Sequence, residues 1–307
     1  MANPLVTVLI PCYNAADTVV RAIESVRRQT YRPVEIIAID DASTDNTRAI
    51  LQAETARGDV TLVALDKNLH SAGARNAGFA QSHGELVAFL DADDEFLPEK
   101  LARQVARMQD RPEVVFVTCD ASNVALDGTV RTRIFSTQSP PIGPDGWRRM
   151  LVSSNAMPSV MMARSSAYRA VGGFTQGIKL VDDQDFAIRV ALTGETDHID
   201  EVLTTTHTQP TGMSHQSWRK DIEIGWPVIR SHIQAQSHRL SRAERRTIYG
   251  YRYARLGRNV YREAPLLGAG FIIRGILLGN EPLRNLWHLI AASPPVRALQ
   301  ALVRTGR

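Results

Sequence analysis

The chain has 307 residues, 44% hydrophobic and 22% charged, enough to bury a full core and carry an appended module. That composition excludes a disordered or fibrous chain, and its two cysteines, Cys12 and Cys119, exclude a disulfide framework and read as reduced thiols in a cytoplasmic protein. The net charge of +4 hides an asymmetry: sixteen Arg and Lys stand against five Asp and Glu from His215 onward, leaving an acidic body and a basic tail with different partners.

The first residues run straight into the apolar Val6–Ile10 without a basic leader or a long apolar stretch, which reads against a secretory signal. Val6–Ile10 is short, β-branched and bounded by Pro11, a buried strand. Ala16–Gln29 follows with Val19, Val20, Ile23 and Val26 at helical spacing. A second strand over Val34–Ile39 ends at Asp40-Asp41. Asp45 is placed to cap a helix that stops at Gly58. Val60–Leu65 reads as a strand, Ser71–Gln81 as a helix, and Leu86–Leu90 as a fourth strand ending at Asp91. This βαβαβαβ order predicts an α/β fold with a mostly parallel sheet and helices on both faces.

Farther on, a helix is expected over Leu101–Gln109 and a strand over Val114–Thr118. Ser136–Gly146 reads as a loop, Val160–Ala163 as a strand, Asp183–Leu192 as a helix and Val202–Thr206 as a last strand. Beyond Ser214 the β signal stops, and basic helices broken at Pro227, Gly257, Pro265 and Pro282 are expected. The division is therefore a body over 1–214 and a basic helical extension over 215–307. The longest apolar run, Pro265 to Gly279, is interrupted by Arg274 and falls short of the ~18 uninterrupted apolar residues that span a bilayer.

Ligands of parallel α/β sheets gather beyond the carboxyl ends of the strands. Here those ends carry Tyr13-Asn14, Asp40-Asp41 and Asp91-Ala92-Asp93-Asp94. If the backbone is still extended at Asp91 and Asp93, both carboxylates face one side. Such a pair suits Mn²⁺ or Mg²⁺ shared with substrate phosphates. The bland reading of the same acids is helix capping, for which Asp94 and Glu95 are placed.

Four blocks from Val6 to Asp94 resemble the GT-A, family-2 type of inverting glycosyltransferase. They are Val6-Thr-Val-Leu-Ile-Pro-Cys-Tyr-Asn14, Gln29 through Thr47, Ala74-Arg-Asn-Ala-Gly78 and Gly84 through Asp94. The likeness thins through Gly172-Gly-Phe174 and Asp182-Asp-Gln-Asp-Phe186 and fades in the tail. It implies a single Rossmann-like GT-A domain and a nucleotide-sugar donor, UDP-linked by this analogy. Pro11, Tyr13 and Asn14 then shape the first nucleotide loop, and Asp41 or Asp40 meets base or ribose. Arg75 contacts sugar or diphosphate, and Asp91, Ala92 and Asp93 hold the donor and its cation. Asp183 is the implied general base toward an acceptor hydroxyl, against a bland reading as a helix cap. His207 stands where relatives contact metal or phosphate. Gln209 replaces a common His, which leaves that contact open between His207, His215 and water. The Gln-x-x-Arg-Trp motif of processive synthases is absent, which favours transfer of single sugars in polysaccharide or glycolipid synthesis.

Two rival classes are a sugar nucleotidyltransferase, which would need a Gly-rich loop with a lysine that Pro11–Ala15 lacks, and a non-catalytic nucleotide-binding relative. For the tail, with Tyr249, Tyr251, Tyr253 and Tyr261 among its arginines, nothing in the body calls for nucleic acid. It reads either as a helical module packed on the body, making a homodimer, or as a surface helix on an anionic membrane. The second reading places the protein at the inner face of the cell membrane, near a lipid-linked or other glycan acceptor.

Overall fold

The structure is a computed structural model that describes residues 3–135, 140–153, 156–209, 218–261 and 263–279. The chain divides into two compact units, Met1–Met213 and Ser214–Arg307.

In the first unit, β1 (Val6–Cys12), α1 (Val19–Arg27), β2 (Val34–Asp40), α2 (Thr47–Thr55), β3 (Val60–Ala64), α3 (His70–Phe79) and β4 (Leu86–Phe89) follow the alternation expected from the sequence. β-Branched and aliphatic residues favour the buried pleat, and Val6, Val8, Leu9 and Ile10 of β1 are fully buried. The chain continues with β5 (Glu95–Phe96), α4 (Lys100–Asp110), β6 (Val114–Val124), β7 (Val130–Arg131), α5 (Gly146–Val152), β8 (Met162–Arg164), α6 (Ser165–Ala170), α7 (Asp182–Ala191) and β9 (Glu195–His207). A single 3₁₀ turn, Pro158–Val160, precedes β8.

The sheet order is β3-β2-β1-β4-β8-β6-β9-β5, with β7 added to β6. Its long ladders are parallel: β1 with β2 and β4, β2 with β3, and β6 with β9. β8 enters antiparallel between β4 and β6, so the sheet becomes mixed in its second half. β9 is far longer than Val202–Thr206, and its register with β6 shifts at Cys119 and Asp120, which bends the ladder. The two-residue β5 and β7 and the helices α5 and α6, of seven and six residues, carried no periodic signal, because none completes two full periods of its own kind. Of the expected loop at Ser136–Gly146, residues 136–139 lie outside the described set; α5 opens at Gly146.

Two glycines meet backbone requirements, one conformational and one steric. Gly58, at φ +91°, ends the α2 turn in the left-handed region that a Cβ disfavours. Gly78 lets α3 settle on β1 and β2, since a Cβ there would meet Ile39 Cδ1 at 2.6 Å and Leu9 Cδ2 at 3.3 Å.

The second unit contains α8 (Trp218–Lys220), a π-helical turn (Asp221–Gly225), α9 (Trp226–Ala235), α10 (Arg242–Tyr261) and α11 (Pro265–Leu277). Among the described residues no helix is long and apolar enough to cross a membrane.

Gly78→Ala is expected to lower the unfolding free energy by about 1–3 kcal/mol through overpacking, read by denaturant titration. An unchanged midpoint would show that α3 can shift without cost.

Candidate active site

α3 presents Arg75, whose side chain is only 3% exposed. Its Nη2 donates to Asp91 Oδ1 at 2.6 Å and its Nη1 to Asp182 Oδ2 at 3.4 Å. The guanidinium also lies 5.1 Å from the Phe174 ring centroid. Burial works against its charge, but Asp91 and Asp182 hold it above its ordinary value. One side chain therefore joins α3, the end of β4 and the start of α7. Ser71 adds a second link, donating from Oγ to Asp182 Oδ2 at 3.3 Å.

The backbone does not stay extended after β4. Asp94 N–H bonds to Asp91 carbonyl at 3.0 Å and closes a turn over Ala92 and Asp93. Asp91 and Asp93 are thus brought together by the turn rather than by strand alternation. Burial, then the Asp91 charge, pushes the Asp93 carboxyl up. Asp94 is 4% exposed and is raised further by burial and by the charges of Asp91 and Asp93. Neither Asp94 nor Glu95 caps α4, whose N-cap is Glu99. Asp94 accepts from Ser159 Oγ at 2.6 Å and from His207 N–H at 3.2 Å. Ser159 Oγ in turn accepts Asp91 N–H at 3.1 Å, and Ser159 carbonyl accepts Thr204 Oγ1–H from β9 at 2.8 Å.

His207, at the end of β9, has Nε2 2.9 Å from Glu95 Oε1. Arg21 donates to Asp93 carbonyl at 2.7 Å and reaches Glu95 at 3.4 Å. His215 lies outside the described residues. Among the described residues no three His, Cys, Asp or Glu side chains form a ready metal cage. Two mutually repelling carboxylates on one turn fit a cation that takes its remaining ligands from phosphate oxygens and water.

At the start of α7, Val181 adopts φ +59°, a costly conformation for a β-branched residue. Asp182, Asp183 and Asp185 fill the first turn, where the helix dipole favours negative charge. Asp183 is half-buried. Burial, then the Asp182 charge, pushes its carboxyl up to about 7, against the opposing hydrogen bond from Gln184 N–H. A carboxyl poised there can exchange a proton near neutrality. Arg189 anchors the helix: it binds Asp185 Oδ2 at 2.7 Å and the carbonyls of Val171 and Gly173 at 2.9 and 2.8 Å. Asn76 clamps Phe174 by accepting its N–H at 2.9 Å and donating to its carbonyl at 2.8 Å. Phe174 stacks on Phe186 at 4.1 Å, so α3 and α7 share one aromatic support.

The loops after β1 and β2 interlock. Asn14, at φ +50°, accepts Thr44 N–H at 2.9 Å, and Asn14 N–H bonds to Ser43 Oγ at 3.1 Å. Pro11 lies in β1, and Tyr13 is 51% exposed. Asp40 is buried, with Oδ1 accepting Ser43 N–H at 3.2 Å and Oδ2 accepting Arg48 Nε at 2.6 Å. Asp41 Oδ1 accepts Leu69 N–H at 2.6 Å. Asp45 accepts Thr47 N–H at 2.9 Å from one residue ahead of Asn46, the N-cap of α2. A shallow depression lined by Ala42, Ser43, Arg48 and Asp66, among others, shares no residue with the Asp91–Asp93 turn.

This is a GT-A type of α/β fold, shared with solved glycosyltransferases. The chain superposes on residues 1–349 of TarS from S. aureus in complex with UDP-GlcNAc, with a TM-score of 0.66, 17% identity and coverage of 98% of this chain and 92% of that one. It superposes on a mannosyltransferase from Pyrobaculum calidifontis in complex with GDP-Man and Mn²⁺, with a TM-score of 0.59, 20% identity and coverage of 98% and 84%.

Residues 7–172 match the profile of glycosyl transferase family 2, and the chain belongs to that family. It is 41% identical over 133 residues to the succinoglycan biosynthesis protein ExoO of Rhizobium meliloti, covering 43% of this chain and 37% of that protein. It is 35% identical over 139 residues to WfaP of Escherichia coli, a UDP-Glc:alpha-D-GlcNAc-diphosphoundecaprenol beta-1,3-glucosyltransferase, covering 45% and 52%. The alignments span about half or less of the length of these relatives.

The structure thus gathers Arg75, Asp91, Ala92, Asp93 and Asp183 around one charged network, with His207 at its Glu95 side. Pro11 and Asp40 lie at the carboxyl ends of β1 and β2, and Tyr13, Asn14 and Asp41 in the loops that follow them. Sequence reading missed Ser159, Arg189 as an anchor and the buried role of Asp94. A lone serine before a three-residue strand carries no local signal.

Ser159→Ala would leave Asp91 N–H and the buried Asp94 carboxyl without their shared partner. A loss of about 1–3 kcal/mol in stability is expected, with partial recovery in Ser159→Thr. Equal melting of the alanine variant and the parent protein would remove Ser159 from this role.

Proposed function

We propose that the protein is an inverting, metal-dependent glycosyltransferase that moves a sugar from a nucleoside diphosphate, UDP by preference, to an acceptor hydroxyl. The observation that carries this reading is Asp183: a half-buried carboxyl poised at about 7 and coupled through Asp182 and Arg75 to the Asp91–Asp93 turn. Two relatives support the donor and acceptor classes, one acting in succinoglycan synthesis and one named for UDP-Glc and a diphosphoundecaprenol-linked sugar.

In this reading Asp93 and Asp91 would hold Mn²⁺ or Mg²⁺. That cation supplies charge stabilisation to the leaving group. Ala92, between the two acids on that turn, stands with them at the donor. His207 stands at the Glu95 side of the same cluster, within the field of Asp93, as a contact for metal or phosphate.

Both oxygens of Asp40 are engaged by Ser43 and Arg48, so Asp41 is the member of the pair assigned to base or ribose. Pro11, Tyr13 and Asn14 form the wall of that nucleotide loop. Arg75 positions Asp91 and Asp182, and through Asp91 it bears on the sugar or diphosphate of the donor.

Asp183 takes the acceptor hydroxyl proton as that oxygen bonds to the anomeric carbon. The bond from that carbon to the diphosphate breaks, and its electron pair leaves with the nucleoside diphosphate. Attack opposite the leaving group inverts the anomeric configuration. The acceptor is a glycan or lipid-linked sugar, met by a cytoplasmic protein working peripherally on the inner face of the cell membrane.

The first test is nucleoside diphosphate release from UDP-sugars with acceptor and added Mn²⁺ or Mg²⁺. Asp93→Ala should cut turnover by about a hundredfold or more and abolish its rise with metal. Pyrophosphate as the released product would replace this reading with a nucleotidyltransferase.

The second test uses pH. A base must be ionised, so kcat/KM should fall as pH drops below about 7, and Asp183→Asn should lose about 10²–10⁴-fold in turnover. The folded carboxyl is raised from 3.8 to about 7, so the folded state keeps the proton that the unfolded state has lost. Its contribution to stability is present at low pH and fades as pH rises through 7. Asp183→Asn should therefore be more stable than the parent at pH 8, by on the order of 2 kcal/mol. A variant that is both fully active and no more stable would exclude Asp183 as the base.

A further inference from the structure

The hairpin of α10 and α11 is held by small residues. A Cβ on Gly257 would meet Ile272 Cγ1 at 2.6 Å and Gly268 carbonyl at 2.8 Å; one on Gly275 would meet Ala254 Cβ and Gly250 carbonyl at 2.9 Å. Gly268 lies equally close to Tyr261, with Cα at 2.5 Å from such a Cβ. The stripe Gly268, Ile272 and Gly275 therefore faces α10 and is buried. Arg246 of α10 closes the far end by donating to the carbonyls of Leu277 and Leu278 at 2.7 and 3.2 Å.

The opposite stripe of α11 runs through Leu266, Gly270, Ile273 and Leu277, spaced for one helical face. Leu266 is 92% exposed, Leu277 68% and Ile273 48%, with Leu267 beside them at 45%. Arg274 is the one charged residue of the helix. A helix apolar on both faces needs a second apolar partner.

The charge of this unit selects among candidates for that partner. Residues 215–307 carry sixteen Arg and Lys against five Asp and Glu, a net of +11. A second copy of the unit brings like charge, whereas an anionic bilayer brings opposite charge and an apolar interior together. Exposed Arg242, Arg246 and Arg255 of α10 belong to the same hairpin as the apolar stripe.

We propose that the exposed Leu266–Leu277 face of α11 is a membrane-docking surface that inserts into the interface of an anionic bilayer while the basic residues of its unit bind lipid headgroups. The proposal deepens the peripheral location given above and stands apart from donor chemistry, because it is read by lipid binding alone.

Flotation of the full chain with phosphatidylcholine vesicles, and with vesicles that also contain phosphatidylglycerol, tests it. Binding is expected to the anionic vesicles, about tenfold or more above the neutral ones, and to weaken in high salt. The double variant Leu266→Gln/Leu277→Gln changes only exposed side chains and should lose about tenfold in vesicle binding, with unchanged circular dichroism and unchanged release of nucleoside diphosphate from the donor when a soluble acceptor is supplied. Vesicle binding unaffected by the double variant would overturn the proposal. So would a stable dimer in solution that the variant dissociates, since a second copy would then be the occupant.

Discussion

A guanidinium taken out of water needs opposite charge around it, and Arg75 obtains this from Asp91 and Asp182. Those carboxylates come from the carboxyl end of a central strand and the amino end of a helix more than ninety residues later in the chain. The ion pairs therefore set the separation of the two halves of the site. Removing Arg75 would leave acids facing one another with nothing between them. Asn76, one residue on, clamps Phe174 and lays an aromatic floor beneath the same contact.

One arginine does not neutralise the acids collected around it. Asp93, Asp94 and Asp183 are all raised above the ordinary carboxylate range, each first by burial and next by a neighbouring carboxylate. The imbalance is partitioned in space. On the turn after β4 it falls on Asp93 and Asp94; at the head of α7 it falls on Asp183. Ser159 and His207 reach the first of these regions because β8 enters the sheet antiparallel beside β4 and β9 runs parallel to β6.

The two units answer to different physics. The first is an acidic α/β body whose polar residues gather at strand ends. The second packs helices backbone to backbone through glycines, leaving an apolar face outward. This second arrangement resembles helix association where lipid replaces water as the neighbour.

What the sequence by itself determined was the alternating first half and the acids at its strand ends. β1 through β4 and α1 through α4 were legible because each completes about two periods or more of its own kind, and Asp40 and Asp91 stand at the ends of such strands, as Asp183 stands at the head of α7. It also marked the two-part charge distribution. Only the tertiary structure decided that the Asp91–Asp93 acids sit on a turn and not an extended strand, and that Asp94 is buried under Ser159 rather than capping a helix. It decided as well that Arg75 is spent on Asp91 and Asp182, and that both oxygens of Asp40 are held by Ser43 and by Arg48 of α2. The contacts of Arg75 with Asp182 and of Asp94 with Ser159 join residues far apart in the chain, while the Asp91 turn and the Asp40 bonds are local geometry that no hydrophobic period records.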